Sequence, residues 1–151
     1  MIPKFRAWDT VKKAMSEVEA IVYTEERVYP FYSKVIRRYI PFSEAILMQS
    51  TGVFDKNGKE IFEGDVVKFN DTWSEYDYEG YVDGASEGEN FTEIIKTEDG
   101  FSFGRTKIPE SSVFYFLNDE HMKFSEIVKS DDFSMVVIGN IYENPELVEV
   151  E

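Results

Sequence analysis

LMQSTGVFDKNGKEIFEGDVVKF, residues 47–69, sets two apolar runs on either side of Asn57-Gly58 and starts a third after Glu63-Gly64-Asp65. Asn-Gly is a strong hairpin signal because both residues tolerate the left-handed backbone of tight turns. Two geometries compete for this hairpin. A two-residue turn centred on Asn57-Gly58 sets Lys56 against Lys59 and Asp55 against Glu60, two like-charge pairs. A type I turn with a glycine bulge puts Asp55 first and Gly58 fourth, where each is favoured. It then opposes Asp55 with Lys59 and Val53 with Ile61, which is better on charge and on packing. The bulged turn is therefore expected. Asp55, Asn57, Gly58, Gly64 and Asp65 are read as turn-shaping residues that set strand register. The stretch fails as a calcium loop, since the fifth position is Lys59, glycine comes fourth and the twelfth position is Val66.

Working outward, strand signals recur every ten residues or so. Lys4-Phe5-Arg6-Ala7-Trp8 alternates polar and apolar, and Val18–Tyr23 is rich in β-branched residues, so the two predict a hairpin with a polar connection. Between 25 and 38, Pro30 forbids a helix interior and the aromatics favour strand or irregular structure. A strand is expected over 44–51, with Gly52 bending it. Tyr78–Val82 and Thr92–Lys96 read as strands, and Asp99-Gly100 is a further hairpin signal into Phe101-Ser102-Phe103. Val113–Leu117 and Phe124–Val128 fit strand or short helix. Ser134–Ile138 is a continuous apolar run, as expected for a strand buried on both faces. This pattern predicts a mainly β protein: a small, barrel-like, SH3-like antiparallel architecture with an N-terminal β extension and little helix. A single domain is expected over 1–151, with a β subdomain at 1–43 and a barrel-like part at 44–145.

Composition supports a folded chain. Of 151 residues, 42% are hydrophobic, and 13 Phe and 9 Tyr supply ample core material. No run reaches the length of a bilayer-spanning helix, and no cysteine exists to form disulfides or thiolate sites. A cytoplasmic protein is expected. The net charge of −14 is uneven: residues 1–47 hold 8 basic and 6 acidic side chains, whereas 48–151 hold 8 and 24. Affinity for nucleic acid depends on cations at the phosphates, so this balance argues against direct nucleic-acid binding.

KFRAWD at 4–9, LMQSTGVFDKNGKEIFEGDVV at 47–67 and VIGNIYENPEL at 137–147 together resemble the YopX family of bacteriophage and prophage proteins. The resemblance implies a small, mostly β protein encoded by a phage or prophage and acting in the cytoplasm of the bacterial host. It carries over no catalytic residues. Gly64-Asp65-Val66-Val67 also resembles the entry to a strand in SH3-like barrels.

Little here points to catalysis. His121 is the only histidine and reads as an exposed loop residue. No nucleophile-elbow pattern surrounds a serine, and Gly100-Phe101-Ser102-Phe103-Gly104 lacks the lysine and spacing of a phosphate loop. No enzyme, cofactor or metal is expected. The sharper feature lies between Asp71 and Asp99, where ten acidic residues accompany one basic residue, Lys96. Aromatics interleave with them, and Trp73, Tyr76, Asp77, Tyr78, Glu79 and Tyr81 form a candidate interaction surface for a protein partner. Aromatics supply contact area there and carboxylates select a basic partner. The alternative is an acidic DNA mimic that inhibits a host DNA-binding protein. Lys34, Arg37 and Arg38 form a small basic cluster, read as solubility or salt bridging to the acidic half, or as the means by which copies form a homo-oligomer.

Overall fold

The computed structural model describes residues 2–31 and 37–149. The chain divides into two units, Met1–Thr51 and Gly52–Glu151. The first is an antiparallel meander. β1 (Phe5–Asp9) pairs with β2 (Ala14–Val22), which pairs with β3 (Arg27–Pro30), which pairs with β4 (Ile40–Pro41). β5 (Ala45–Phe54) lies on the other side of β1 and continues past the division between the units. β1 is thus an inner strand, which explains why Arg6 and Asp9 are buried with Ala7 and Trp8. Ala7, Val28 and Ile40 form the core, with Val18, Phe42 and Ala45 packed around them.

A buried carboxylate needs donors, and Asp9 has four. The amides of Val11 and Lys12 donate to its Oδ1 at 3.0 Å and shape the turn after β1. Arg37 donates through Nε to Oδ2 and through Nη2 to Oδ1, each at 2.8 Å, and reaches Glu44 at 3.3 Å. Arg37 is therefore tied down beside Asp9 and is no part of a free basic patch. Lys34 lies outside the described residues, as does most of the segment following β3.

The second unit opens with the bulged turn. The amide of Asp55 donates to the Lys59 carbonyl at 2.8 Å and that of Gly58 to the Asp55 carbonyl at 3.0 Å, with Gly58 at φ 82°. β6 (Glu60–Phe62) follows, then β7 (Asp65–Tyr76), β8 (Val82–Thr97) and β9 (Gly100–Thr106), with β10 (Val136–Asn140) returning to β7. The antiparallel order is β10-β7-β8-β9. Two short helices, α1 (Val113–Asn118) and α2 (Phe124–Lys129), contribute Val113, Ile127 and Val128 to a core that includes Val67, Phe69, Ile94, Phe103, Phe133 and Met135. Among the described residues no helix is long and apolar enough to cross a membrane.

The fold is mainly β, and three expectations are corrected. Among the described residues no barrel closes: β9 and β10 are the edges of an open four-stranded sheet, and closure would require those edges to pair. β10 is consequently an edge strand. Val137 faces the core, Ile138 stays 37% exposed, and a register shift falls between Val137 and Gly139. Residues 78–81 are a turn, with β8 running unbroken from Val82 through Gly84 and Gly88. The two ambiguous runs, 113–117 and 124–128, are helical.

Candidate protein-interaction site

β7 and β8 form a hairpin whose register runs from Val66 opposite Glu93 to Tyr76 opposite Val82. β10 accompanies β7 only to Lys68, and β9 accompanies β8 only from Thr92 onward. The distal half therefore has no flanking strand among the described residues, apart from a single bridge between Trp73 and Ser111.

Its root is fastened by a buried polar network. Asn90, fully buried, donates through Nδ2 to Asp71 Oδ2 and to the Ile108 carbonyl, both at 2.9 Å, while its Oδ1 accepts from the amides of Phe91 and Ile108 at 2.8 Å. Asp71 Oδ1 accepts from the amides of Thr72 and Ser112 and from Ser112 Oγ at 2.6 Å. Every oxygen is engaged, as burial requires. Nothing in the sequence singles out Asn90, because its burial arises from the tertiary packing of residues 106–112.

Farther out, the Trp73 ring lies on Gly88. A Cβ at Gly88 would come within 2.9 Å of that ring, so the absence of a side chain is what admits the indole. The indole N–H donates to Glu75 at 3.1 Å. Trp73 is half-buried and partly structural. Tyr76 is 49% exposed.

The tip repeats the turn of residues 55–59. In Asp55-Lys56-Asn57-Gly58-Lys59, Asp55 Oδ1 accepts from the amides of Asn57 (2.9 Å) and Lys59 (2.8 Å). In Asp77-Tyr78-Glu79-Gly80-Tyr81, Asp77 Oδ1 accepts from the amides of Glu79 (2.9 Å) and Tyr81 (3.0 Å). The closing bond from the Asp77 amide to the Tyr81 carbonyl is present at 2.8 Å, and Gly80 sits at φ 90°. The shared spacing Asp-x-x-Gly was the available signal for this second turn. The two differ in one respect: Asp55 Oδ2 also accepts from the Val137 amide at 2.8 Å, tying the first turn to β10, whereas among the described residues Asp77 Oδ1 and Oδ2 make no such bond to another strand. Gly64, at φ 88°, donates to the Ile94 carbonyl and accepts from the Ile141 amide, and Asp65 accepts from the Phe62 amide at 2.8 Å. These residues hold strands together.

The ordered tip presents Tyr78 at 97% exposure and Tyr81 at 69%, beside an exposed Val82. Glu75, Asp77, Glu79 and Asp83 lie in or beside the turn, Glu87 and Glu89 stand farther along β8 toward the root, and no basic residue occurs from 69 to 95. Side chains alternate along a strand, so Glu87 and Glu89 share one face of β8; Asp83 lies beyond the register shift between Ala85 and Val82, and Lys68 pairs with Glu89 at 3.2 Å. A turn locked by its own aspartate displays these phenols with little ordering entropy left to lose on binding. The tip alone is smaller than the roughly 800 Å² per partner of a stable interface, so the hairpin's flanks must contribute. Elsewhere, His121 is an exposed residue at φ 53°. Among the described residues no group of three or more histidines and carboxylates is placed to hold a metal ion.

The family model described as YopX protein matches residues 4–149. Among solved structures, the chain is similar to protein EF1440 from Enterococcus faecalis, at 30% identity over 99% of each chain and a TM-score of 0.60. It shares its fold with protein yopX from Bacillus subtilis, at 18% identity over 97% of this chain and 98% of that one, with a TM-score of 0.50. A search of curated proteins found no match. The chain belongs to the YopX family.

Proposed function

We propose that this protein is a non-enzymatic interaction module, encoded by a phage or prophage, that uses the β7–β8 hairpin to bind a basic protein partner in the host cytoplasm. The observation that carries the reading is the tip itself: Tyr78 and Tyr81 stand almost free of the protein on a self-bonded turn, flanked in the chain by Glu75, Asp77, Glu79 and Asp83. Exposed aromatics on a preorganised turn bury well against a partner, and like charges around them repel acidic competitors. Capture from host lysate at graded salt tests it. Wild-type protein should retain a basic partner that the Tyr78→Ala/Tyr81→Ala variant releases; equal retention by both would sink the reading.

A second reading rests on the row of acidic residues Asp83, Glu87 and Glu89 along β8. Such a row supports mimicry of a nucleic-acid backbone. Duplex DNA should then compete the captured partner off, and indifference to DNA would remove this reading.

A further inference from the structure

Beside the root of the hairpin lies a cavity of about 630 Å³ within the second unit. Its size matches sites that enclose a ligand of drug or short-peptide dimensions. Phe116, Met122 and Phe133 supply its apolar wall. Phe116 and Phe133 meet edge to face at 5.6 Å, which fixes that wall. The remaining lining includes the exposed carboxylates Glu87, Glu89 and Asp132 and no basic side chain. Asp71 also lines it, but both its oxygens are occupied by Asn90, Thr72 and Ser112, so its role is to hold the wall and not to meet a ligand.

We infer that this cavity receives a basic, apolar-flanked peptide segment of the partner: an arginine or lysine at the acidic mouth with a neighbouring aliphatic side chain against Phe116, Met122 and Phe133. The inference rests on the reading of the hairpin as a partner-binding element and adds where that partner's charge and apolar side chain would go. Charge complementarity selects this occupant. A second copy of the chain would bring its own excess of carboxylates to an acidic mouth, and an anionic ligand would be repelled. Glu89 is already matched by Lys68, which leaves Glu87 and Asp132 as the main cation acceptors.

The test uses the full chain and two short synthetic peptides of identical length, one alternating arginine and leucine, the other with glutamate in place of arginine. Calorimetry gives stoichiometry, and the methyl resonance of Met122 gives location. The arginine peptide should bind one-to-one and shift the Met122 methyl, and the glutamate peptide should not bind. The Glu87→Gln/Glu89→Gln/Asp132→Asn variant changes only exposed side chains and so should fold normally, yet weaken the arginine peptide about tenfold. An unmoved Met122 methyl, equal binding of the two peptides, or full affinity in the triple variant would overturn the inference while leaving the hairpin reading intact. Conversely, partner capture that survives loss of the two tyrosines removes the hairpin reading whatever the peptides do.

Discussion

Two turns of one geometry, with different external ties, give a sharp prediction about Asp55. Its carboxylate serves three backbone amides, two within the turn and one, Val137, on a strand 82 residues away. Asp55→Ala strands the Val137 amide in a buried position, which costs about 1–3 kcal/mol for an unsatisfied donor. The Asn57 and Lys59 amides sit at an exposed turn where water can replace the carboxylate, adding ~1 kcal/mol. The total is ~3 kcal/mol, and at about 2–4 °C per kcal/mol for a chain of this size the melting midpoint should fall by roughly 6–12 °C. Asp77→Ala removes the same two local bonds without a third, so it should cost ~1 kcal/mol or less. Asp55→Asn keeps an acceptor for the turn but can turn an amide donor toward the Val137 N–H, and should lose ~2 kcal/mol. Thermal and urea denaturation of the three variants measure this directly. Equal losses for Asp55→Ala and Asp77→Ala, or an Asp55→Asn variant as stable as wild type, would refute the claim that Asp55 links its turn to β10.

Arg37→Ala should destabilise by about 1–3 kcal/mol near neutral pH, because it leaves the Asp9 carboxylate buried with only backbone donors. Burial pushes the Asp9 carboxyl up, but the Arg37 hydrogen bond and the backbone amides outweigh it and hold it below its ordinary value. The stabilisation is present above the ordinary aspartate range and lost as pH falls through the lowered value, so wild type and variant should converge in acid-denaturation curves. Glu93 behaves oppositely: burial, then the nearby Glu63, raise its carboxyl. Glu93→Gln should stabilise by up to about 0.5 kcal/mol above that raised value, with no gain once pH falls below the ordinary glutamate range. Gly88→Val should push the Trp73 ring off β8 at a cost of about 1–3 kcal/mol. In fluorotryptophan-labelled protein, one of the two indole resonances should move and the other stay.

Turns and strands that depend on local chemistry were open to sequence reading. The bulge at Asp55–Lys59 followed from charge pairing and from glycine at the left-handed position, and the Asp99-Gly100 hairpin from similar chemistry. The Asp77–Tyr81 turn escaped because tyrosines on either side of Gly80 favour strand and disguise a spacing identical to Asp55–Gly58. Features set by distant neighbours were not readable. Whether the sheet closes depends on β9 meeting β10, far apart in sequence, and an apolar run such as Ser134–Ile138 does not announce that it lies at an edge. Val113–Leu117 could not be assigned by periodicity because five residues are too few to separate a helical stripe from a buried strand. At the candidate site, the acidic and aromatic composition was visible in sequence. The exposure of Tyr78 and Tyr81, the Asp71–Asn90–Ser112 network and the cavity all required the tertiary arrangement.

The proposed function requires that the hairpin tip touch a partner. A photo-crosslinking amino acid placed at Tyr78, expressed in bacterial cells, measures that contact directly, with Tyr23, 76% exposed in the first unit, as the control position. A discrete adduct with a basic protein is expected from position 78 and none from position 23. No adduct at 78, or the same adducts from both positions, would contradict that function.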